Sequence, residues 1–291
     1  MRMRLFISLA AFASLMLGLM PSAKAQIGIT VELNRLNYHQ YEWVYARVHL
    51  RNYSGHPLAF GESNDLKGRL SFEIEDSKSD FVDKIGTDVP PLEGIILNRG
   101  EVKSIIVPIS QYYKCVNPGK YTLRAVVEHS LFKEKYQSAP VSFNIITGVQ
   151  MWERIVGVPD FIKKDPDSKI KTRKYRIESM FDGNNKVYYM IIEDDAKVYS
   201  VKRIGFEINN STPLCEVDSL SRIHIIVQAG AKVFTYLRYD IDGKLEEKEV
   251  YFKTDTSPIL VRNAEDGTLI VAGGRKARKD LDYQEVEDKT F

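Results

Sequence analysis

The chain has 291 residues, of which 44% are hydrophobic and 27% charged, with 41 basic against 39 acidic side chains. This length allows two domains with sizeable cores, and the composition excludes an intrinsically disordered protein. The near-neutral charge lacks the basic excess with which nucleic-acid-binding proteins neutralise phosphates.

The first 25 residues have the pattern of a secretory signal peptide. Arg2 and Arg4 give a positive start, residues 5–20 are almost wholly apolar, and residues 23–25 (AKA) fit the small-residue cleavage rule. The apolar run is short for a membrane span, so we predict cleavage after Ala25 rather than an uncleaved anchor. The protein is then exported, either to the periplasm or outside the cell, and keeps 38 basic and 39 acidic residues with no membrane span.

Residues 26–147 are predicted to form an immunoglobulin-like β-sandwich. Residues 42–50 (EWVYARVHL) and 69–75 (RLSFEIE) alternate between apolar and polar positions, as half-buried strands do. About seven such strands, separated by turn residues, favour two packed antiparallel sheets. Tyr121, two residues after a glycine at the start of a late strand, is typical of a tyrosine corner; the alternative is an ordinary strand aromatic.

A family resemblance covers most of the chain. It is carried by residues 29–33 (ITVEL), 41–42 (YE), 50–55 (LRNYSG), 98–101 (NRGE) and 118–123 (PGKYTL). These motifs resemble the immunoglobulin-like domains of exported bacterial proteins and are similar, more loosely, to the proteinase-inhibitor-type sandwich called BsuPI-like. With the repeats that follow, the chain resembles secreted proteins of the Verrucomicrobia type. The resemblance implies a fold without the inter-sheet disulfide, because Leu123 stands at the second cysteine position, and it implies no activity.

Residues 175–274 contain internal repeats. The run 196–200 (AKVYS) is matched 35 residues later by 231–235 (AKVFT), and 211–214 (STPL) is matched 45 residues later by 256–259 (TSPI). Such periods are typical of stacked repeat architectures. We predict an antiparallel β-hairpin array similar to part of a propeller, since about 100 residues are too few for a closed ring. A barrel-like roll is the alternative.

Two segments flank the repeats. Residues 148–174 are interpreted as a junction or linker, because residues 161–169 (FIKKDPDSK) are charged and contain a proline. The tail, residues 275–291, lacks apolar periodicity and is predicted to be disordered. The fold class is therefore all-β, with a sandwich followed by a hairpin array.

The two cysteines, Cys115 and Cys215, lie one in each predicted domain. In an oxidising compartment they could form a disulfide that links the domains. The alternative is two separate thiols. Metal binding is not expected, since no histidine lies at ligand spacing from either cysteine.

Catalytic and cofactor motifs are absent from the sequence. It contains no G-x-S-x-G, no H-E-x-x-H, no Walker loop and no G-x-G-x-x-G. Residues 240–243 (DIDG) resemble the start of a calcium loop but lack its later ligands and fit a hairpin turn. We expect no enzyme activity, no cofactor and no metal. Tyrosines near predicted strand ends could present a surface for sugar or peptide, or could pack in the cores: Tyr188, Tyr189, Tyr236 and Tyr239.

These observations favour an exported, non-enzymatic binding or structural protein that engages another protein or a surface polymer. One alternative is a polysaccharide-binding accessory module, which needs exposed coplanar aromatic rings. Another is a protease inhibitor, which needs a rigid exposed loop such as residues 89–91 (VPP). A hydrolase whose two carboxylates meet only in the folded chain also stays open.

Overall fold

The structure is a computed structural model that describes residues 26–61, 68–86, 92, 94–158, 171–183 and 185–282. The predicted signal peptide, the 89–91 loop and the end of the tail lie outside these residues. Strands make up 58% of the chain and helices 3%, which confirms the predicted all-β class. Within the described residues, no helix has the length and apolar character needed to cross a membrane.

The first half forms a β-sandwich of two main sheets. One sheet has the strand order β1-β3-β7, and the other has the order β2-β10-β8-β5, with β9 beside β8 and a short β4–β6 pair outside both. The pairing of β2 with β10 is parallel and the other pairings are antiparallel. The elements are β1 (Ile27–Leu33), β2 (Asn37–His39), β3 (Tyr45–Asn52), β4 (Leu58–Ala59), β5 (Gly68–Glu75), β6 (Ile96–Leu97), β7 (Val102–Pro108), α1 (Ile109–Tyr112), β8 (Gly119–His129), β9 (Tyr136–Gln137) and β10 (Val141–Ile146).

The sandwich core follows from the alternation of the strands. On β3, Ala46, Val48 and Leu50 are buried while the residues between them face outward. Successive side chains of a strand point to opposite faces of the sheet, so one face of β3 is committed to the core. Phe72 and Ile74 of β5 face the same core from the second sheet.

The predicted tyrosine corner is present. The hydroxyl of Tyr121, on β8, donates to the backbone oxygen of Asn117 at 2.7 Å. The Tyr121 ring is buried and stacks on Phe143 of β10, with ring centroids 5.3 Å apart. The corner therefore ties the connection before β8 to the core of the sandwich.

The second half is built from antiparallel meanders. A four-stranded sheet has the order β11-β12-β13-β14, a five-stranded sheet has the order β15-β16-β17-β18-β21, and β19 pairs with β20. The elements are β11 (Val149–Gly157), β12 (Thr172–Asp182), β13 (Asn185–Glu193), β14 (Val198–Phe206), β15 (Leu214–Val217), β16 (Ile223–Gln228), β17 (Val233–Tyr239), β18 (Leu245–Phe252), β19 (Ile259–Arg262), β20 (Leu269–Ala272), β21 (Arg275–Lys276) and α2 (Lys279–Asp282). In the described part of the chain neither of the two larger sheets closes into a barrel. This arrangement agrees with the predicted antiparallel hairpin array rather than with a barrel-like roll.

Apolar side chains fill the space between the two larger sheets. Tyr175 and Met190 of the four-stranded sheet share one cluster with Ile225 and Leu237 of the five-stranded sheet. The opposite face of β13 packs against the sandwich, where Tyr189 and its neighbours meet the end of β10. Because both faces of β13 are covered, its sequence is a continuous apolar run rather than an alternation.

The structure differs from the sequence interpretation at both flanking segments. Val149–Gly157, inside the stretch interpreted as a linker, is the edge strand β11. Most of its side chains are exposed, so it lacks the alternation that predicts a strand. The start of the tail is also ordered, because Arg275–Lys276 pairs with β18 and the Arg275 guanidinium binds both carboxylate oxygens of Asp282.

Candidate functional site

A polar cluster joins the sandwich to the four-stranded sheet. The Arg35 guanidinium lies 2.7 Å from the Glu42 carboxylate, and the Tyr189 hydroxyl donates to Glu42 at 3.2 Å. His39 Nε2 lies 2.8 Å from Glu178 Oε2, and the His39 ring stacks on Tyr189 with centroids 4.9 Å apart. His39, at the end of β2, is therefore held by Glu178 of β12, and Glu42, in the connection to β3, is held by Tyr189 of β13.

Glu178 is ionised within this cluster. Burial alone raises the pKa of Glu178, but the His39 hydrogen bond, the Arg176 charge and the Gly148 N–H together lower this pKa below its ordinary value. Gly148 is required at this point, since a Cβ there would lie 2.7 Å from both Cβ and Oε2 of Glu178. The chain can pass the carboxylate this closely only without a side chain.

Beside the cluster lies a cleft of about 520 Å³ between the sandwich and the β13–β14 hairpin. Its sandwich wall consists of Tyr41 and Trp43, and its other wall consists of residues 193–202. Trp43 is half exposed, and its ring lies nearly parallel to that of Tyr45, at 21° with centroids 6.1 Å apart. The cleft therefore opens beside a pair of exposed, nearly parallel aromatic rings.

Tyr41 has a left-handed backbone, with φ at +65°. It lies in the tight turn in which the Glu42 N–H donates to the His39 oxygen at 2.9 Å. A left-handed conformation costs a residue with a Cβ about 1–2 kcal/mol, and glycine or asparagine is the usual choice at such a turn position. The Tyr41 ring is 47% exposed, so burial of the ring does not offset this strain.

The hairpin wall is fixed by hydrogen bonds around Asp194. The Tyr199 hydroxyl and the backbone N–H groups of Ala196 and Lys197 donate to this carboxylate, and they lower the pKa of Asp194 to about 2. The centre of the Tyr199 ring lies 3.6 Å from the Arg173 guanidinium and 4.2 Å from the Lys197 ammonium. The wall is a hydrogen-bonded surface of mixed charge, which suits a ligand with many hydroxyl or amide groups.

The tyrosines predicted as binding residues are buried instead. Tyr188, Tyr189, Tyr236 and Tyr239 are each 6% exposed or less. Tyr188 and Tyr239 lie in the cluster between the two larger sheets, and Tyr189 lies in the cluster against the sandwich. The binding-surface prediction is wrong for these four rings, because each of them is buried. The alternative, packing in β cores, describes Tyr188, Tyr189 and Tyr239.

The two cysteines are separate free thiols. Cys115 belongs to the sandwich core, and Cys215, on β15, packs against the cluster between the larger sheets. Burial raises the pKa of the Cys115 thiol to about 12 and also raises the pKa of the Cys215 thiol. Because each thiol is held in a different core, the disulfide that could have linked the domains is not formed.

The residues that resembled a calcium loop form a hairpin turn. The Asp240 carboxylate accepts the N–H groups of Asp242 and Lys244, and Gly243 supplies a left-handed φ of +84°. Within the described residues no group of three or more His, Cys, Asp or Glu side chains is placed to hold a metal.

The sequence did not predict a buried chain of hydrogen bonds in the five-stranded sheet, formed by Asp218, His224 and Tyr236 and called the relay below. His224 Nε2 lies 3.1 Å from Asp218 Oδ2, and the Tyr236 hydroxyl lies 2.8 Å from His224 Nδ1. Burial lowers the pKa of His224, more than the neighbouring Asp218 raises it. A neutral imidazole therefore donates from Nε2 and accepts from Tyr236 at Nδ1. All three side chains are buried, so the relay stabilises the sheet rather than contacting a ligand.

Comparison with known proteins does not assign the chain to a family. No family model matches the sequence, and no curated protein matches it either. The resemblance to immunoglobulin-like domains of exported bacterial proteins stays a prediction, and the function has to be argued from the cleft.

Proposed function

We propose that the protein is an exported, non-enzymatic binding protein whose working surface is the cleft beside Tyr41 and Trp43. The observation that carries this proposal is the backbone of Tyr41, which holds an exposed ring in a left-handed conformation. Backbone strain of this kind persists where the surrounding structure fixes it, and it concentrates at ligand-binding positions.

The surroundings of Tyr41 provide that constraint. His39 is held by Glu178, and Glu42 is held by Arg35 and Tyr189, so the residues on both sides of Tyr41 are fixed by charged hydrogen bonds. A ligand that enters the cleft meets rings that are already in place. Such preorganisation lowers the entropy lost on binding.

Binding fits this cleft better than catalysis does. The Asp194 carboxylate is satisfied by three donors and has a pKa of about 2. A general acid or base works best with a pKa near the working pH. Asp194 therefore acts as a fixed acceptor that shapes the wall, and the partner is another protein or a surface polymer.

A polysaccharide-binding module is the second candidate function. The nearly parallel rings of Trp43 and Tyr45 are both more than 40% exposed. Aromatic faces of this kind pack well against the flat apolar faces of sugar rings while their polar edges stay in water. No observation favours the protease inhibitor, because residues 89–91 lie outside the described residues.

Retention on the cell envelope tests the proposal. The mature chain, residues 26–291, would be passed over immobilised envelope protein and envelope glycan, beside Trp43→Ala and a control, Phe81→Ala, which removes another exposed ring. We expect wild type and the control to be retained alike and Trp43→Ala to bind about tenfold more weakly, as the loss of one stacking ring predicts. Equal retention of all three, or no retention of wild type on either material, would overturn the proposal.

A further inference from the structure

We propose that the outer face of the β1–β3–β7 sheet binds an extended anionic polysaccharide that continues from the cleft along β3. This inference rests on the proposed binding function and names the ligand class. The face is defined by the side chains of β3 that point away from the core, together with the residues just before and after that strand: Trp43, Tyr45, Arg47, His49, Arg51 and Tyr53.

The alternation of β3 places these groups in one row. Their neighbours in the chain, such as Val48 and Leu50, are buried in the sandwich, so the odd-numbered side chains lie on the outer face. The row continues at Tyr53, whose ring lies across Gly28: a Cβ at Gly28 would be 2.8 Å from Tyr53 Cε2. At about 3.3 Å per residue the row is roughly 33 Å long, which suits a linear polymer.

The two arginines of this face have no carboxylate partner among the described residues. Within the described residues neither Arg47 nor Arg51 has a carboxylate at ion-pair distance, and Glu32, which lies opposite Arg47, is 3.4 Å from His49. Most of the other described arginines are engaged by carboxylates. These are Arg35, Arg124, Arg173, Arg176, Arg203, Arg222, Arg238, Arg262, Arg275 and Arg278.

Each of the two guanidinium groups lies beside an apolar side chain of β7. On β7, Ile106 lies opposite Arg47 and Val102 opposite Arg51, and both apolar side chains are more than half exposed. The Arg51 guanidinium also lies 5.0 Å from the centre of the Tyr53 ring. Guanidinium groups bind carboxylates with two parallel hydrogen bonds, and the rings and apolar side chains accept flat apolar faces.

A polysaccharide with carboxylate groups meets both requirements. Its sugar rings supply apolar faces for Trp43 and Tyr45, and its carboxylates pair with Arg47 and Arg51, which are about 13 Å apart along the strand. An acidic peptide has carboxylates but few flat faces. A nucleic acid has both, yet its tight binding requires many more cationic contacts than this face provides.

Binding to a matched pair of polymers tests the inference. The probes are polygalacturonate and its fully methyl-esterified form, which share one backbone and differ in charge, and a single-stranded DNA oligonucleotide serves as a second anion. Affinity of the mature chain for each would be measured by calorimetry at low and at moderate salt. We expect polygalacturonate to bind about tenfold more tightly than the ester at low salt, and the difference to shrink as salt screens the charges.

Charge variants separate this inference from the proposed function. The double variant Arg47→Gln/Arg51→Gln should lose the preference for the acid form, whereas Arg154→Gln, which removes an exposed arginine of β11, should keep it. Circular dichroism would check that each variant is folded. Equal binding of acid and ester by wild type, or tighter binding of DNA than of polygalacturonate, would overturn the anionic-polysaccharide assignment. Loss of ester binding in Trp43→Ala would still support the cleft.

Discussion

His39 and Glu178, which are 139 residues apart in the chain, form a buried contact between the two halves of the molecule, with Nε2 of one 2.8 Å from Oε2 of the other. Only 4% and 5% of their side chains are exposed. A charged group that is buried this deeply is stable only with a partner. The contact therefore fixes how β2 of the sandwich meets β12, and with it the position of the turn that carries Tyr41.

Replacement of Glu178 by Gln should weaken the fold through this contact. We expect the free energy of unfolding, from urea denaturation near neutral pH, to fall by about 3 kcal/mol, because the change removes the buried carboxylate to which both His39 and Arg176 are hydrogen-bonded. The control Glu246→Gln breaks a partly exposed pair with Arg238 and should cost less than about 1 kcal/mol. Equal losses in the two variants would contradict the role assigned to Glu178.

Acid should reduce the difference between wild type and Glu178→Gln. The pKa of Glu178 is lowered in the folded chain from an ordinary value of 4.5. A carboxylate with a lowered pKa stabilises the fold above its ordinary pKa, and this contribution is lost as pH falls through the folded-state value. Urea denaturation at about pH 7 and about pH 3 would measure the change. A difference that is constant over this range would show that the charge of Glu178 does not stabilise the interface.

Replacement of Gly148 by Ala should disturb the same contact from the backbone. The new Cβ would lie 2.7 Å from Oε2 of Glu178 and 3.1 Å from Nε2 of His39, so the pair must move. We expect a loss of about 1–3 kcal/mol in the free energy of unfolding. Gly157→Ala is a matched control, because a Cβ there meets nothing within 4 Å. Its effect should stay within about 0.5 kcal/mol.

The sequence predicted those parts of the fold that local pattern determines. The alternation in β3 and β5 gave their inner faces, and the position of Tyr121 gave the corner that the structure contains. In both cases the sequence pattern that supports the prediction spans only a few residues. The alternation of apolar and polar side chains in a strand is sufficient to identify its buried face.

The site depends on contacts that local pattern does not encode. Tyr189 was expected at a surface, but a covering layer on each side of β13 buries it. The pairing of His39 with Glu178 arises from the packing of two halves of the chain. The strain at Tyr41 could have been suspected from a tyrosine at a turn position, yet the turn itself depends on the Glu42 hydrogen bonds. The exposed rings of Trp43 and Tyr45 were not predicted as binding residues, because in the sequence they fit the ordinary alternation of a strand.

Replacement of Tyr121 by Phe should measure the tyrosine corner. The change keeps the buried ring and removes the hydroxyl that donates to Asn117, so the carbonyl loses its partner. We expect the free energy of unfolding to fall by about 1–3 kcal/mol. Tyr53→Phe removes the hydroxyl of an exposed ring and should have almost no effect on stability. A result in which both variants unfold like wild type would show that the corner does not stabilise the sandwich.

The relay around His224 should make the fold sensitive to mild acid. Because burial lowers the pKa of His224, the unfolded chain takes up a proton near pH 6.5 while the folded chain resists it. Stability is then complete above about pH 6.5 and falls as pH drops toward the folded-state pKa, by at most about 1.4 kcal/mol per pH unit. His224→Gln should show a shallower loss between about pH 7 and pH 5. The control His56→Gln, in an exposed turn, should keep the wild-type slope.

Two substitutions at Tyr41 separate the strain of its backbone from the use of its ring. Tyr41→Gly removes the ring and relieves the left-handed conformation, whereas Tyr41→Ala removes the ring but retains the Cβ that causes the strain. Urea denaturation should find the Gly variant about 0.5–1 kcal/mol more stable than the Ala variant, after the greater freedom of glycine in the unfolded chain is included. Both variants should bind the envelope material equally weakly. If the two are equally stable, the turn is not strained, and if either binds as well as wild type, the ring has no part in the site. A more stable variant that binds less would show that the chain retains Tyr41 for its ligand rather than for its fold.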